Sequence, residues 1–145
     1  MPRDVAGTSD LAADLRCDGA WADRKALLPA LSQIVLAARA YGKAVLDGVH
    51  LDIRDAAGFE RACAQGRALG FDGKTLIHPS TLEVANATFA PSEAEVEHAR
   101  CVIAAFETTA AAGDALVVLD GKLVEELHVR ASQRILELHG AVGTL

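Results

Sequence analysis

Apolar residues in the first half of the chain follow two alternating patterns, short continuous runs and longer stretches with helical spacing. The runs within "DVAGTSDL", "KAVLDGVHLDI" and "KTLIHP" predict three strands. The stretches "RKALLPALSQIVLAARAYG" and "AAGFERACAQGRAL" repeat apolar residues every three or four positions, which predicts two helices between the strands. Strands that alternate with helices over short loops are typical of parallel strands joined by crossover helices. We therefore predict an α/β fold.

Residues at the ends of the two helices support this interpretation. Pro29 falls near the start of the first helix, where proline is tolerated, and Gly42 follows its end. Asp55 is placed to cap the second helix and Gly70 to end it.

The pattern changes after Pro79. "STLEVANATF" predicts a short helix or turn, and "APSEAEVEHARCVIAAFETTAAAG" predicts a long helix that ends at Gly113. Ser92 and Glu95 have the spacing of a capping box at its start.

The last third of the chain predicts a hairpin and a final helix. "ALVVLDGKLV" turns at Asp120-Gly121, a pair favoured in type I′ hairpins. "EELHVRASQRILELHG" has helical spacing, and Gly140 is expected to end it. We divide the chain into an α/β part, residues 1–90, and a helix–hairpin–helix part, residues 91–145.

Composition and charge exclude several classes of protein. The net charge of −6 argues against a nucleic-acid partner, which requires a basic surface. No run approaches the roughly 20 apolar residues that span a bilayer, and "MPRDVAGTSD" lacks the apolar core of a signal peptide. The three cysteines are widely spaced and form no CxxC, which favours free thiols. We expect a cytoplasmic protein with no membrane contact.

Candidate site residues cluster where the predicted strands end. The carboxyl ends of parallel strands carry the functional groups of α/β enzymes. Four carboxylates and one imidazole fall there, a set that is able to hold Mg²⁺: Asp10, Asp47, Asp52, Asp55 and His78. The chain has no G-x-G-x-x-G, Walker A, G-x-S-x-G or H-E-x-x-H motif.

Each candidate also has a structural interpretation. Asp10 could ligate a metal or cap a helix, and Asp47 could serve the site or a turn before Gly48. Lys74 could bind an anion or be a solvated strand residue. His78 could contact substrate or be a packed histidine before Pro79.

Three strands are too few for a closed sheet. A (β/α)₈ barrel has eight strands and typically about 250 residues. A three-stranded parallel sheet leaves its edges open. The chain is therefore expected to be a small α/β unit with covered edges or the end of a larger fold.

Several segments resemble one family of enzymes. "GTSDLAADL", "DGVHLDIRDAAGF" and "LDGKLVEELHVRASQRIL" resemble the C-terminal half of the citrate lyase beta-subunit-like proteins. The block from Ala68 to Glu107, with "GKTLIHP" and "FAPSEAE", is the most specific part of the resemblance. These proteins belong to the HpcH/HpaI aldolase superfamily, which includes malyl-CoA and citramalyl-CoA lyases.

The resemblance covers nearly the whole chain and implies both a fold and a chemistry. The implied fold is the C-terminal part of a (β/α)₈ TIM barrel, about three parallel strands with their helices, and a helical extension that contains a hairpin. The implied reaction is carbon–carbon cleavage or condensation of acyl-CoA or acyl-carrier esters, with Mg²⁺ stabilising an enolate. Asp10 matches the family's metal-binding aspartate. Asp47, Lys74 and His78, which lie at the predicted strand ends, are predicted to contact substrate or CoA.

The chain also departs from the family pattern. No segment matches the strands that carry the family's metal-binding Glu and substrate-binding Arg, and Ser9 stands where a Glu is common. Glu125 matches an acid/base aspartate that the extension places in a neighbouring subunit, and its alternative role is a helix N-terminal carboxylate.

We therefore expect a truncated lyase that is inactive alone, as a homo-oligomer or in assembly with a full-length relative. The alternatives are a non-catalytic oligomerisation or regulatory remnant and a self-contained small binding protein.

Overall fold

The computed structural model describes residues 3–17, 23–112 and 116–142. These residues form two compact units, Met1–Phe89 and Ala90–Leu145. The strands of the described part are β1 (Arg3–Val5), β2 (Ala44–Asp47), β3 (Gly73–Lys74), β4 (Val117–Leu119) and β5 (Lys122–Val124). The α-helices are α1 (Thr8–Asp14), α2 (Leu28–Ala40), α3 (Ala56–Leu69), α4 (Leu82–Phe89), α5 (Glu93–Ala112) and α6 (Glu126–Val142). Single 3₁₀ turns, Lys25–Leu27 and Pro79–Thr81, precede α2 and α4.

The first unit contains a parallel sheet in the order β1-β2-β3. Arg3 pairs with Ala44, and Leu46 pairs with Gly73, so all three strands point the same way. Helices α2 and α3 connect consecutive strands. The predicted α/β fold with crossover helices is confirmed.

The strands are shorter than predicted. β2 ends at Asp47, and β3 contains only Gly73 and Lys74. The apolar residues after them, such as Leu51, Ile53 and Ile77, are exposed in loops. Because apolar residues continue past the ends of these strands, the sequence predicted strands that are too long.

Helix α2 supplies much of the core of the first unit. Its buried face follows the predicted spacing and packs with Val45 of the sheet. The buried members of this cluster are Ala6, Ala12, Leu27, Leu31, Val35, Ala38, Val45 and Phe71. A second cluster joins Phe59 and Cys63 of α3 to Ala85 of α4.

The ends of α3 follow the sequence prediction. Asp55 accepts a hydrogen bond from the Gly58 amide at 2.8 Å, so it is a helix N-cap. Gly70 adopts a left-handed conformation with φ of 98°, the role that glycine fills best at a helix C-terminus. Both predictions are confirmed.

The second unit packs α5 and α6 with the hairpin of β4 and β5. Its hydrophobic cluster contains the buried residues Val102, Val117, Val124 and Val129. The predicted capping box is present, since the Ser92 amide donates to Glu95 Oε2 at 2.8 Å and the Glu95 amide to Ser92 Oγ at 3.3 Å.

The hairpin turns as predicted, whereas the last helix ends later than predicted. Asp120 and Gly121 both have positive φ, 51° and 74°, as a type I′ turn requires. Gly140 was predicted to end the last helix, but α6 continues to Val142, so that prediction is wrong. A glycine that is tolerated inside a helix cannot be told from a terminating one by sequence alone. Gly113 lies outside the described residues.

Candidate functional site

The first candidate residue, Asp10, lies just beyond the carboxyl end of β1. The chain passes through Ala6 and Gly7 into α1, and Asp10 is in the first turn of that helix. The N-cap position is Gly7, so the prediction that Asp10 caps the helix is wrong. Its carboxylate is exposed and has no hydrogen bond or ion pair among the described residues.

Asp47, at the end of β2, is the centre of a buried ionic network. Its side chain is fully buried. It accepts hydrogen bonds from Arg24 Nη1 at 2.7 and 2.8 Å, from Lys74 Nζ at 2.8 Å and from the Gly48 amide at 2.9 Å. A buried carboxylate is stable only when it is paired and hydrogen-bonded in this way. Asp47 is therefore an integral part of the fold at the strand ends.

Arg24 completes one side of the network. Arg24 is buried, and its backbone adopts the left-handed conformation, with φ of 52°, at the start of the 3₁₀ turn. Its Nε donates to Gln65 Oε1 at 2.7 Å, and its Nη1 binds Asp47. The buried hydrogen bonds hold Arg24 in a backbone conformation that a non-glycine residue rarely adopts.

Lys74 completes the other side. Its side chain is buried, and its Nζ donates to Asp47 Oδ2 at 2.8 Å and to the Gly48 carbonyl at 2.7 Å. The alternative that Lys74 is a solvated strand residue is wrong. Two buried cations share one carboxylate in this network, so the cluster carries one surplus positive charge.

Two glycines allow this network to be packed tightly. A Cβ at Gly66 of α3 would lie 2.8 Å from Asp47 Oδ2, and a Cβ at Gly48 would lie 2.1 Å from Thr8 Oγ1. Cys63 of α3 is buried near the same charges, and burial raises the pKa of its thiol. The thiol is therefore protonated near neutral pH and is a poor nucleophile.

The remaining candidates of the first unit make local contacts. Asp52 Oδ1 accepts the Arg54 amide at 3.0 Å, and Asp55 is the α3 cap. His78 is exposed, and its Nδ1 accepts the Ser80 amide at 3.2 Å, which caps the 3₁₀ turn after Pro79.

Two polar atoms near the strand ends are buried without a partner. They are Ser9 Oγ, beside Asp10 in α1, and His50 Nε2, in the loop after β2. The His50 ring packs edge-to-face on Phe59 with centroids 5.9 Å apart. Buried polar atoms without partners are rare in folded proteins.

Glu125 lies in the second unit, immediately before α6. It is exposed, and its amide donates to His128 Nδ1 at 2.9 Å. Its backbone oxygen accepts the His128 amide at 2.9 Å. This position agrees with a carboxylate at a helix N-terminus.

Of these candidates, Asp10 has a carboxylate that is exposed and makes no hydrogen bond or ion pair among the described residues. Within the described ranges, no group of three or more His, Cys, Asp or Glu side chains is arranged to hold a metal ion. Mg²⁺ commonly takes one or two carboxylates together with water and substrate oxygens. Asp10, exposed and unpaired, fits one such position, whereas Asp47 is neutralised by Arg24 and Lys74.

Parallel strands joined by helices, with polar groups at their carboxyl ends, define the class of α/β proteins whose sites lie at that end of the sheet. Residues 5–79, just over half of the 145-residue chain, match the HpcH/HpaI aldolase/citrate lyase family. The chain belongs to this family, whose members here are CoA-ester lyases and thioesterases.

Several named relatives match most of the chain. A (3S)-malyl-CoA thioesterase of Cereibacter sphaeroides is 48% identical over 139 residues, which cover 96% of this chain and 48% of the relative. The citrate lyase subunit beta of Leuconostoc mesenteroides subsp. cremoris is 39% identical, over 82% of this chain and 39% of the relative. The mitochondrial citramalyl-CoA lyase of Homo sapiens is 33% identical, over 77% and 33%. The chain spans half or less of the length of these relatives.

Solved structures give the same result for the fold. The protein CitE from Mycobacterium tuberculosis, in complex with magnesium, acetoacetate and coenzyme A, matches 94% of this chain and 51% of its own, with TM-score 0.74 and 32% identity. A citrate lyase from Burkholderia xenovorans LB400 matches 99% and 48%, with TM-score 0.81 and 22% identity, which supports the fold alone. These are citrate lyase-type barrel proteins, so the α/β part corresponds to part of a (β/α)₈ barrel.

The sequence prediction missed Arg24, Gln65 and His50. Arg24 meets Asp47 and Gln65 across separations of 23 and 41 residues, and no local pattern indicates such contacts. The one available signal was Lys74, because a lysine inside an apolar strand requires a carboxylate if it is buried.

No helix in the described ranges combines the length and apolar character needed to cross a bilayer.

Proposed function

We propose that this chain contributes part of a Mg²⁺-dependent site for acyl-CoA or acyl-carrier esters, with Asp10 as the metal ligand that it supplies. The observation that carries this proposal is the free, exposed Asp10 carboxylate at the carboxyl end of a parallel strand, in a family of CoA-ester enzymes. Magnesium bound there would stabilise negative charge that develops on a substrate oxygen. The other ligands would come from water, substrate or another polypeptide segment.

As the reaction, we favour hydrolysis of a malyl-CoA-type thioester over carbon–carbon cleavage. The relatives named thioesterases are 47–48% identical over nearly the whole chain, whereas those named lyases are 33–41% identical over shorter stretches. Within the described residues, no group of three or more His, Cys, Asp or Glu side chains is arranged to hold a metal ion, and the buried Arg24 is paired with Asp47. We therefore propose that the chain is inactive alone and acts when a second polypeptide completes the site.

Replacing Asp10 with asparagine is expected to weaken Mg²⁺ binding by at least about tenfold. Losing one unit charge 4 Å from a divalent cation removes about 2 kcal/mol even in bulk water. The measurement is titration with Mg²⁺, or with paramagnetic Mn²⁺ followed by NMR line broadening, of the chain mixed with the half of the Cereibacter sphaeroides thioesterase that it does not match. Asp14→Asn is the matched control, because Asp14 is exposed one turn further along α1. Equal metal affinity in both variants would refute the ligand role of Asp10.

A second function, docking on a full-length relative without catalysis, is favoured by one surface. Val118 of β4 and Leu123 of β5 form a cross-strand pair on the outer face of the hairpin and are 63% and 50% exposed. Leu116, two residues before Val118, is 69% exposed. Exposed apolar clusters of this kind commonly mark protein–protein contacts. Native mass spectrometry of the chain mixed with a full-length relative would separate the two functions. A complex that forms without metal binding by the chain would support docking and not the metal site.

A further inference from the structure

The buried ionic network holds the backbone of Gly48 from two sides. The Gly48 amide donates to Asp47 Oδ1 at 2.9 Å, and the Gly48 carbonyl accepts from Lys74 Nζ at 2.7 Å. All three residues are buried. If either bond breaks, a buried polar group loses its partner, which strongly disfavours any rotation of this segment.

Gly48 in turn lies directly against the start of α1. A Cβ on Gly48 would lie 2.1 Å from Thr8 Oγ1 and 2.6 Å from the Ala6 carbonyl. Thr8 is buried, and the Ala6 amide donates to the Leu46 carbonyl at 3.0 Å. The loop after β2 therefore packs closely on the chain that enters α1, and a shift of Gly48 toward it presses on the Ala6 carbonyl and on Thr8.

Thr8 is the first residue of α1, and Asp10 follows two residues later in the same helical turn. The Leu11 amide donates to the Gly7 carbonyl at 3.0 Å, so this turn is closed by its own hydrogen bond. A displacement of Thr8 is thus passed to Asp10 through one rigid turn. The Asp10 carboxylate has no side-chain partner of its own in the described residues to correct such a displacement.

We propose that Asp47 and Lys74 are positioning residues for Asp10, which act through Gly48 and Thr8. The role rests on the proposed function in one respect, that Asp10 is the metal ligand. Neither residue would contact the metal ion itself. Outer residues that orient a ligand commonly change metal affinity about 10- to 100-fold when they are replaced.

The test is Lys74→Met in the full chain. This variant keeps most of the aliphatic stem and the Arg24–Asp47 pair, and it removes the bond to the Gly48 carbonyl. Lys43→Met is the matched control, because Lys43 also pairs with an aspartate, Asp4, at 3.3 Å but is partly exposed. NMR amide shifts report the positions of Gly48, Thr8 and Asp10, and Mn²⁺ titration reports affinity.

In Lys74→Met, the amide signals of Thr8 and Asp10 are expected to move together with that of Gly48, and Mn²⁺ affinity to fall about tenfold. In Lys43→Met, neither readout should change. A folded Lys74→Met variant whose Thr8 and Asp10 signals match the control would overturn the proposal. If the wild-type chain binds no Mn²⁺ at Asp10 even when mixed with the half of the Cereibacter sphaeroides thioesterase that it does not match, the proposed function fails, and the amide shifts still decide the positioning role.

If Lys74→Met does not fold, amide hydrogen exchange in the wild-type chain tests the positioning role instead. A shared restraint predicts that the Gly48 and Leu11 amides open together and exchange within about tenfold of each other. Exchange of Leu11 more than about 100-fold faster than Gly48 would show that α1 moves independently of the network, and would overturn the proposal.

Discussion

Asp47→Ala is expected to lower the free energy of unfolding by about 3–5 kcal/mol. The variant leaves Arg24 and Lys74 buried, 5% and 9% exposed, without their shared carboxylate. The backbone amide of Gly48 also loses its acceptor. A typical domain is stable by only about 5–15 kcal/mol, so the first unit should be close to unfolding at room temperature.

Urea unfolding followed by far-UV circular dichroism measures this loss. Asp4→Ala is the matched control, because Asp4 is also a strand carboxylate paired with a lysine, Lys43, but both side chains are substantially exposed. Exposed pairs contribute little, so this variant should change stability by no more than about 1 kcal/mol. Equal effects of the two substitutions would show that the Asp47 network is not a main source of stability.

Gly48→Ala is expected to destabilise the chain by about 1–3 kcal/mol. The added methyl group would overlap Thr8 Oγ1 at 2.1 Å and the backbone carbonyl of Ala6 at 2.6 Å. A side chain can rotate away, but the carbonyl belongs to the segment between β1 and α1, so the sheet edge has to move. Thermal unfolding measures the loss.

Gly140→Ala adds the same methyl group but is expected to raise the stability instead of lowering it. Gly140 lies within α6, and a Cβ there would meet nothing within 4 Å. Alanine should therefore stabilise the helix by up to about 1 kcal/mol. If Gly48→Ala raises the melting temperature as Gly140→Ala is expected to do, the close packing of Gly48 on Thr8 is not supported.

The parts of the fold that sequence predicted correctly depend on short-range rules. Asp55, Gly70, the Ser92–Glu95 pair and Asp120-Gly121 each act within three or four residues, so their neighbours in sequence determine their conformation. Strand lengths depend on pairing with distant segments, and the sequence overestimated them. The helix that continues past Gly140 shows the same limit, because packing outweighs the weak helix propensity of one glycine.

The candidate site was predictable only in part for the same reason. The location of Asp10 at a strand end follows from the order of strands and helices in the sequence. The partners of Asp47 do not, because Arg24 and Lys74 are 23 and 27 residues away and both had other interpretations. Charge balance alone would not have identified them, since the network contains two cations and one carboxylate. The roles of Asp47, Lys74 and His78 toward substrate, and of Glu125 in proton transfer, stay predictions.

The most direct test of the account is thioester turnover by the chain with and without a complementary polypeptide. The assay follows release of the coenzyme A thiol from malyl-CoA, with glyoxylate measured in parallel to detect carbon–carbon cleavage. The complementary polypeptide is the half of the Cereibacter sphaeroides thioesterase that this chain does not match. We expect no turnover by the chain alone, and Mg²⁺-dependent thiol release in the mixture that falls at least about tenfold with Asp10→Asn. Turnover by the purified chain alone, or turnover in the mixture that is indifferent to Asp10→Asn, would contradict the account.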